Sequence, residues 1–440
     1  MKERIGLIGD NSKEYVDCLI DIWNHNDCAV LIDWRIPLNS AIEMMKEALV
    51  KRCYIEESIF DKYNTENSEL DFIKFRVENK GPELLPQSIY DKFLINYSLD
   101  EAVILYSSGT TGKAKGIILS QFSINTNADA IIDYMNLNAN DCMYIVKALA
   151  HSSTLVGELL VCLKKQISMV ISSTVVPPRY SLNNISKFSA TILCVNPTLL
   201  NLFALSEKNR KNNFTYLKTI YTSGAITEKR LLELSGKVFI NTKILNVYGL
   251  SEAGPRITAQ IEEDNITCNS VGKEINGVRL KIIKQNRCEA DEYEKGIIHV
   301  KTPSVFSGYV SGIAKNMSLY EDWLNTGDIG HLDSHRNLYI SGRIDNMIVV
   351  GSHNVYLEEI EESILGFDEV RNCIVTSEKD EIYGDKIVCI YVADIQESAL
   401  MRYLCATKLA TYEIPQKYIK VGRIKETPNG KKIRDIKAYL

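Results

Sequence analysis

The sequence predicts an α/β protein: a large N-terminal domain of mostly parallel, doubly wound sheets with a small antiparallel β subdomain, then a small C-terminal α+β domain. Three observations point there. Short apolar runs alternate with amphipathic stretches over the first two-thirds of the chain, as strands buried on both faces and joined by helices require. From about Gly272 the runs shorten and alternate polar with apolar, the period of a half-buried antiparallel sheet. After Arg343, helix and strand patterns mix again over ~95 residues, an ordinary domain size. The expected domains are therefore 1–343, with its β-rich part at about 272–343, and 344–440.

Taken in order, "RIGLIG" reads as the first strand, and Asn11 or Ser12 stands where a cap would start a helix over "KEYVDCLIDIWNHN". "CAVLID" and "AVILY" are the next buried strands. "CMYIVKAL", "ISMVIS", "TILCVNP", "LKTIYTSG" and "TKILNVYG" follow, separated by helical "STLVGELLVCLKK", "LNNISKF", "PTLLNLFAL" and "TEKRLLEL". "VRLKIIK", "GIIHVK" and "NLYISGRI" form the antiparallel part. The last domain reads as helix "LEEIEESIL", strands "CIVTS" and "KIVCIYVAD", helix "ESALMRYLCATKL" and strand "YIKVGRI". Parallel sheets bind ligands beyond the C-terminal ends of their strands, and the loops singled out below are expected at such ends.

Composition narrows the function classes. A formal charge of -5 offers no basic face for nucleic acid or an anionic membrane. No apolar run reaches the roughly 20 residues of a membrane span, and "MKERIGLIGDNSKEY" lacks a signal-peptide core. Eleven cysteines without a C-x-x-C pair suggest reduced, mostly buried thiols in a cytoplasmic protein. Six histidines include one H-x-x-x-H spacing, His331 and His335 in the polar stretch "HLDSHRN", without the glutamate of an H-E-x-x-H motif, so a histidine metal site is not expected.

Four segments carry chemistry. "YSSGTTGKAKGIIL" follows the strand "AVILY" and gathers Ser107, Ser108, Gly109, Thr110, Thr111, Gly112 and Lys115. Glycines let N–H groups turn toward an anion, hydroxyls donate to phosphate oxygens, and a lysine adds charge. Its spacing is not that of the G-x-x-x-x-G-K-[ST] phosphate loop. Alone, such a loop is most often a polar turn. "NVYGLSEAG" places Asn246, Tyr248, Ser251 and Glu252 together: an amide for a purine edge, a ring to stack on it, and a carboxylate for Mg2+. "NTGDIG" offers Asp328 in a tight turn, where its carboxylate can accept two ribose hydroxyls. "TPNGKKIR" carries Lys431, and by itself would most often be a solvated tail.

In this order the segments closely resemble the adenylate-forming superfamily: acyl- and aryl-CoA synthetases, the adenylation domains of peptide synthetases, and beetle luciferases. The resemblance covers essentially the whole sequence. It implies ATP-dependent activation of a carboxylic acid to an acyl-AMP with release of pyrophosphate. Transfer to the thiol of coenzyme A, or to the phosphopantetheine of an acyl or peptidyl carrier protein, would follow. By the same resemblance Ser107–Lys115 grips the ATP phosphates together with Ser251, and Glu252 holds Mg2+. Gly224 and Ala225 of "TSGA" border the adenine beside Asn246 and Tyr248. Asp328 holds the ribose with Arg343 near it. Asp345 is the pivot of a mobile C-terminal domain, Val349–Tyr356 shapes the pantetheine channel, and Lys431 is the catalytic lysine.

The same resemblance bears on the acid. In "LAHSSTLVGELL" the pair His151–Ser152 stands where amino-acid-activating relatives carry an aromatic residue and an aspartate for the substrate ammonium. Without that carboxylate an α-amino acid would bury an unpaired ammonium, so an aryl or simple aliphatic acid is expected. His151 is implied to sit over the acyl carboxylate, although a packed imidazole at a helix start accounts for it equally well. Ser152, Val156, Thr222, Val247 and Pro255 are implied to line the acyl pocket. Ala114 stands for a common proline, Ser251 for threonine, Val349 for lysine, Ser352 for glycine and Leu357 for proline. The departures at 349, 352 and 357 bear on thiol choice and on the efficiency of thioester formation. The first strand begins within a few residues of Met1, so the leader of longer relatives is expected to be absent. A non-catalytic nucleotide- or acyl-binding scaffold is the competing class, and retention of Lys115, Glu252, Asp328, Arg343 and Lys431 counts against it. A luciferase-like oxygenase has no separate support.

Overall fold

The computed structural model describes residues 2–62, 70–107, 114–174, 176–207, 214–227, 229–261, 269–312, 319–350, 353–380, 384–407, 409–427 and 432–439. The chain forms two compact units. Unit 1 comprises Met1–Thr227, Glu233–Leu280 and His299–Asn325, and unit 2 comprises Glu228–Leu232, Lys281–Ile298 and Thr326–Leu440.

Unit 1 is built on two large sheets. The first orders its strands Gly308–Tyr309, Lys115–Ser120, Glu101–Ser107, Cys28–Asp33, Arg4–Gly9, Arg52–Glu56 and Asp71–Phe75. The pairs around Arg4–Gly9 and Cys28–Asp33 are parallel, while Lys115–Ser120 runs antiparallel to both of its neighbours. Every residue of Cys28–Asp33 is buried, as the apolar run "CAVLID" requires of a strand covered on both faces. The second sheet orders Lys273–Glu274, Arg256–Ala259, Lys243–Gly249, Thr219–Thr222, Ile192–Val195, Cys142–Ile145, Ser168–Ile171 and Glu83–Leu84, with a parallel centre and antiparallel edges.

The helices follow their local signals. Ser12 Oγ accepts the Tyr15 N–H at 3.1 Å and starts helix Lys13–Asn24, which buries Tyr15, Val16, Leu19, Ile20 and Trp23 at helical spacing. Ser120 caps Gln121–Met135 in the same way, and Asn136 ends it in the left-handed region. The "STLVGELLVCLKK" helix departs from expectation. It begins as an α-turn at Ser152–Thr154, widens to a π-helix over Leu155–Leu160, and returns to α over Val161–Lys165. Such π segments are rare and concentrate at functional sites.

A third sheet orders Arg279–Ile283, Gly296–Lys301, Trp323–Leu332 and Leu319–Tyr320, with Leu338–Arg343 also pairing with Trp323–Leu332. Unit 2 contains the fourth sheet: His353–Tyr356, Met347–Val350, Gly384–Ala393 and Val370–Asp380, with Lys417–Lys420 parallel to Gly384–Ala393. Helix Leu357–Leu365 buries Leu357, Ile360, Ile364 and Leu365 on this sheet's core. The fold class is the one the sequence predicts. Among the described residues the cysteines are free, and no helix is long and apolar enough to cross a membrane.

Candidate active site

In unit 1 the strand Lys243–Gly249 ends at a turn of 3-10 helix, Ser251–Ala253. Gly254 closes it at φ +93, and a Cβ there would lie 2.5 Å from the Ser304 carbonyl, so only glycine fits. This turn presents a half-buried Glu252, and the Tyr309 hydroxyl donates to its carboxylate at 3.0 Å. Tyr309 is set by its strand, which pairs antiparallel with Lys115–Ser120, and Lys115 Nζ lies 5.7 Å from the centre of its ring. A carboxylate, a phenol and an ammonium thus stand in sequence, a donor set that suits a hard cation and its phosphates. The hydroxyls of Ser152 and Ser251 are 2.7 Å apart. Ser107 ends the strand Glu101–Ser107 with its backbone opposite Lys115. Ser108, Gly109, Thr110, Thr111 and Gly112 lie outside the described residues.

Asn246, on the same strand as Tyr248, is buried. Its N–H donates to Gln260 at 2.7 Å and its side-chain amide donates to the Ser270 carbonyl at 3.2 Å. Its side-chain oxygen is buried with no partner among the described residues. Such orphan acceptors are rare, and an exocyclic amino group of a purine would satisfy this one. Thr222 is buried with its hydroxyl 3.2 Å from that of Thr227, whereas Gly224 and Ala225 are exposed on the turn between them.

His151 stands at the start of helix Ser152–Thr154 without capping it. Its Nε2 lies 3.1 Å from Asp33 Oδ2, at the end of the strand Cys28–Asp33. Arg35 donates to both oxygens of the same carboxylate, at 2.8 and 2.5 Å. Burial alone would raise the Asp33 carboxyl, but the hydrogen bonds from Arg35 and His151 hold it well below the usual carboxylate range. The ionised Asp33 fixes the His151 ring with its Nε2 proton pointing at the carboxylate. Ser152, Val156, Thr222, Val247 and Pro255 are all buried, and Pro255 follows a cis peptide bond.

In unit 2, Asp328 is not in a tight turn. It lies inside the strand Trp323–Leu332, opposite Arg343, beside a register shift at Ile329 and Gly330. Cross-strand pairing overrides the turn chemistry of "NTGDIG", and the irregularity is what remains of it. Nor is it at the C-terminal end of a parallel strand. Arg343 Nη1 lies 3.2 Å from the buried Asp328 carboxylate, and Nη2 lies 3.9 Å from Asp345. Asp345 sits in the 3-10 turn Ile344–Asn346 that leads to the hairpin of Met347–Val350 and His353–Tyr356. Val349 on that hairpin is exposed, Leu357 is buried, and Ser352 lies outside the described residues.

Lys431 also lies outside the described residues, but its flanks are held firmly. Glu426 and Lys432 form an antiparallel bridge, Lys432 donates to the Cys373 carbonyl at 3.0 Å, and the Ile433 N–H donates to Lys425 at 2.9 Å. Arg434 donates to Glu361 at 2.6 Å and to Glu358 at 3.0 Å. Burial pushes the Glu358 carboxyl up, against the pull of Arg434. Sequence reasoning missed Asp33, Tyr309 and Arg434. Asp33 alone carried a signal, as a polar residue closing an apolar strand.

A family model described as AMP-binding enzyme matches residues 1–310, and one described as AMP-binding enzyme C-terminal domain matches residues 359–431. The chain is 29% identical over 345 residues to an uncharacterized acyl-CoA ligase of Bacillus subtilis, covering 76% of this chain and 68% of the relative. It is 28% identical over 425 residues to a 2-succinylbenzoate–CoA ligase of Bacillus mycoides, covering 94% and 84%. In fold it is similar to the O-succinylbenzoate coenzyme A synthetase of Bacillus subtilis solved in complex with ATP and magnesium. The TM-score is 0.84 at 22% identity, over 98% of this chain and 88% of that one.

Proposed function

The chain belongs to the AMP-binding enzyme family, and on that premise we propose that it is an acid–thiol ligase. With ATP and Mg2+ it turns an aryl or aliphatic acid into an acyl-AMP, then passes the acyl group to the thiol of coenzyme A. A free carboxylate is a poor acyl donor because its leaving group would be oxide. In the first half-reaction a carboxylate oxygen bonds to the α-phosphorus, the α–β anhydride bond breaks, and pyrophosphate leaves. In the second the thiol sulfur bonds to the acyl carbon, AMP leaves, and the thiol proton passes to solvent. Two anions meet in the first step, so positioning and neutralisation carry the catalysis.

Glu252, oriented by Tyr309, holds Mg2+, which neutralises phosphate charge when bound. Lys115 with residues 107–112 and Ser251 holds the departing pyrophosphate. Asn246 takes the adenine amino group on its unpaired oxygen, with Tyr248, Gly224 and Ala225 around the ring. Asp328 and Arg343 take the ribose, and Lys431 neutralises the α-phosphate and the attacking carboxylate. His151, held by Asp33, orients the acid over a pocket of Ser152, Val156, Thr222, Val247 and Pro255. Ser152 follows His151 where an ammonium would need a carboxylate, so α-amino acids are disfavoured. Residues 344–440 serve as a lid domain pivoting at Asp345, which uses Lys431 in one half-reaction and the Val349–Tyr356 hairpin in the other.

The observation that supports this reading most is the set formed by Glu252, Tyr309 and Lys115. The curated relatives are CoA ligases, which favours coenzyme A over the pantetheine arm of a carrier protein as acceptor. ATP–pyrophosphate exchange against aryl, fatty and amino acids, followed by thioester formation with coenzyme A or a loaded carrier protein, tests it. Exchange with an aryl or aliphatic acid is expected. Exchange with no acid would overturn the ligase reading in favour of a nucleotide- or acyl-binding scaffold.

A further inference from the structure

Beside the candidate acyl pocket lies a group of buried charges that the steps above do not use. Arg256 follows Pro255 directly and is buried, yet its guanidinium donates no hydrogen bond among the described residues, and its Nε is fully enclosed. Its backbone exchanges hydrogen bonds with Asn127 at 2.8 and 2.9 Å. Its Nη2 lies 3.1 Å from where a Cβ on Gly157 would stand. Gly157 neighbours Val156 in the π-helix, so the missing side chain makes room for this guanidinium. The next residue, Glu158, is fully buried, and Lys147 Nζ lies 3.1 Å from its carboxylate without the alignment of a hydrogen bond. The Tyr134 hydroxyl, on the helix that carries Asn127, is buried and also without a partner among the described residues.

The charges do not balance. Two cations, Lys147 and Arg256, face one carboxylate, and that carboxylate is already engaged by Lys147. Removing an arginine from water costs several kcal/mol unless an anion and hydrogen bonds replace the lost hydration. No Arg256–Glu158 ion pair is found within 4 Å among the described residues. A guanidinium offers a planar fork of donors that suits a carboxylate in two-point contact.

We propose that Arg256 is the receptor for a second carboxylate on the acyl substrate, so that the enzyme activates one end of a dicarboxylic acid while holding the other. The inference rests on the adenylation reading and deepens it. The distal carboxylate pairs with the Arg256 guanidinium, which the absent Gly157 side chain makes room for, and Tyr134 supplies a further hydroxyl. Once Glu158 is ionised, its pairing with Lys147 leaves a single net positive charge at this end of the pocket. The reacting carboxylate remains at the His151 end. A monocarboxylic acid of the same length would leave Arg256 buried and unpaired, the situation in which sites discriminate most strongly.

The test is ATP–pyrophosphate exchange on the intact chain with matched acids: pentanoate and glutarate, hexanoate and adipate, benzoate and the phthalates. The dicarboxylate is expected to exceed its partner by about 10²-fold or more in kcat/KM in at least one pair. In Arg256→Met that ratio should fall by about 10²-fold, and Arg256→Lys should restore part of it. Wild-type selectivity decides the matter even if the methionine variant does not fold. Equal or better exchange with the monocarboxylate of every pair sinks the inference and leaves adenylation standing. A ratio unchanged in a folded Arg256→Met also sinks it. Exchange with no acid at all removes the adenylation reading and this inference together.

Discussion

The Tyr309 hydroxyl donates to the Glu252 carboxylate at 3.0 Å, and the face of the same ring lies 5.7 Å from the Lys115 ammonium. One side chain therefore orients the carboxylate proposed to hold the metal and faces the lysine proposed to hold the phosphates. A hydrogen bond to a charged group is worth about 1.5–3 kcal/mol. Tyr309→Phe keeps the ring but removes the donor, so the KM for MgATP should rise about 10-fold or more with a smaller change in kcat. An unchanged KM in pyrophosphate exchange would mean that the hydroxyl does not orient Glu252.

Arg434 ties the segment after Lys431 to Glu358 and Glu361 of helix Leu357–Leu365. Removing the cation of such a buried network leaves two neighbouring carboxylates, held only by Asn346 and the Val375 N–H among the described residues, and costs about 3–5 kcal/mol. Arg434→Met should lower the denaturation midpoint and slow adenylation, whereas Lys431→Ala should leave stability nearly unchanged. Urea unfolding of both variants separates the two roles. Equal stability of Arg434→Met and wild type would contradict the anchoring role.

Burial pushes the Glu158 carboxyl up to about 7 from an ordinary 4.5, despite the pull of Lys147. The folded chain then holds this proton more tightly than the unfolded chain. Glu158 makes no pH-dependent contribution below about 4.5, where it is protonated in both states. Its ionisation destabilises the fold progressively as pH rises from about 4.5 to 7, by up to about 3 kcal/mol. Glu158→Gln should flatten that part of the stability profile, measured as unfolding midpoints at steps between pH 4.5 and 7.5. An identical slope in the variant would assign the pH dependence to other groups.

The proposed hinge gives a separable outcome. Asp345 lies in a short 3-10 turn just after Arg343, where few residues must absorb any large backbone change. Asp345→Pro restricts that turn, so pyrophosphate exchange should persist while thioester formation with coenzyme A falls. Equal loss of both half-reactions would argue against a lid that serves them in turn.

Local patterns carried most of the elements. "LEEIEESIL" coincides with helix Leu357–Leu365 because Leu357, Ile360, Ile364 and Leu365 recur at helical spacing. "CAVLID" is a fully buried strand because nothing in it needs water before Asp33. What the sequence does not carry is contact across distance. Asp33 and His151 lie 118 positions apart, and Tyr309 and Glu252 lie 57 apart, so neither pair has a local signature. The Asn and Gly residues around Asp328 suggest a turn, yet pairing with Leu338–Arg343 stretches them into a strand with an irregularity. The π-helix at Leu155–Leu160 leaves no mark in periodicity either, because every one of its residues is buried.

The most direct measurement is the rate of ATP–pyrophosphate exchange in Lys431→Ala, with the best acid substrate of the wild type. If a lysine ammonium neutralises the α-phosphate as the carboxylate attacks, the rate should fall by about 10²–10³-fold while the fold is retained. Exchange near the wild-type rate would mean that the charge at the reacting phosphorus comes from elsewhere, and the proposed chemistry would fail at its first step.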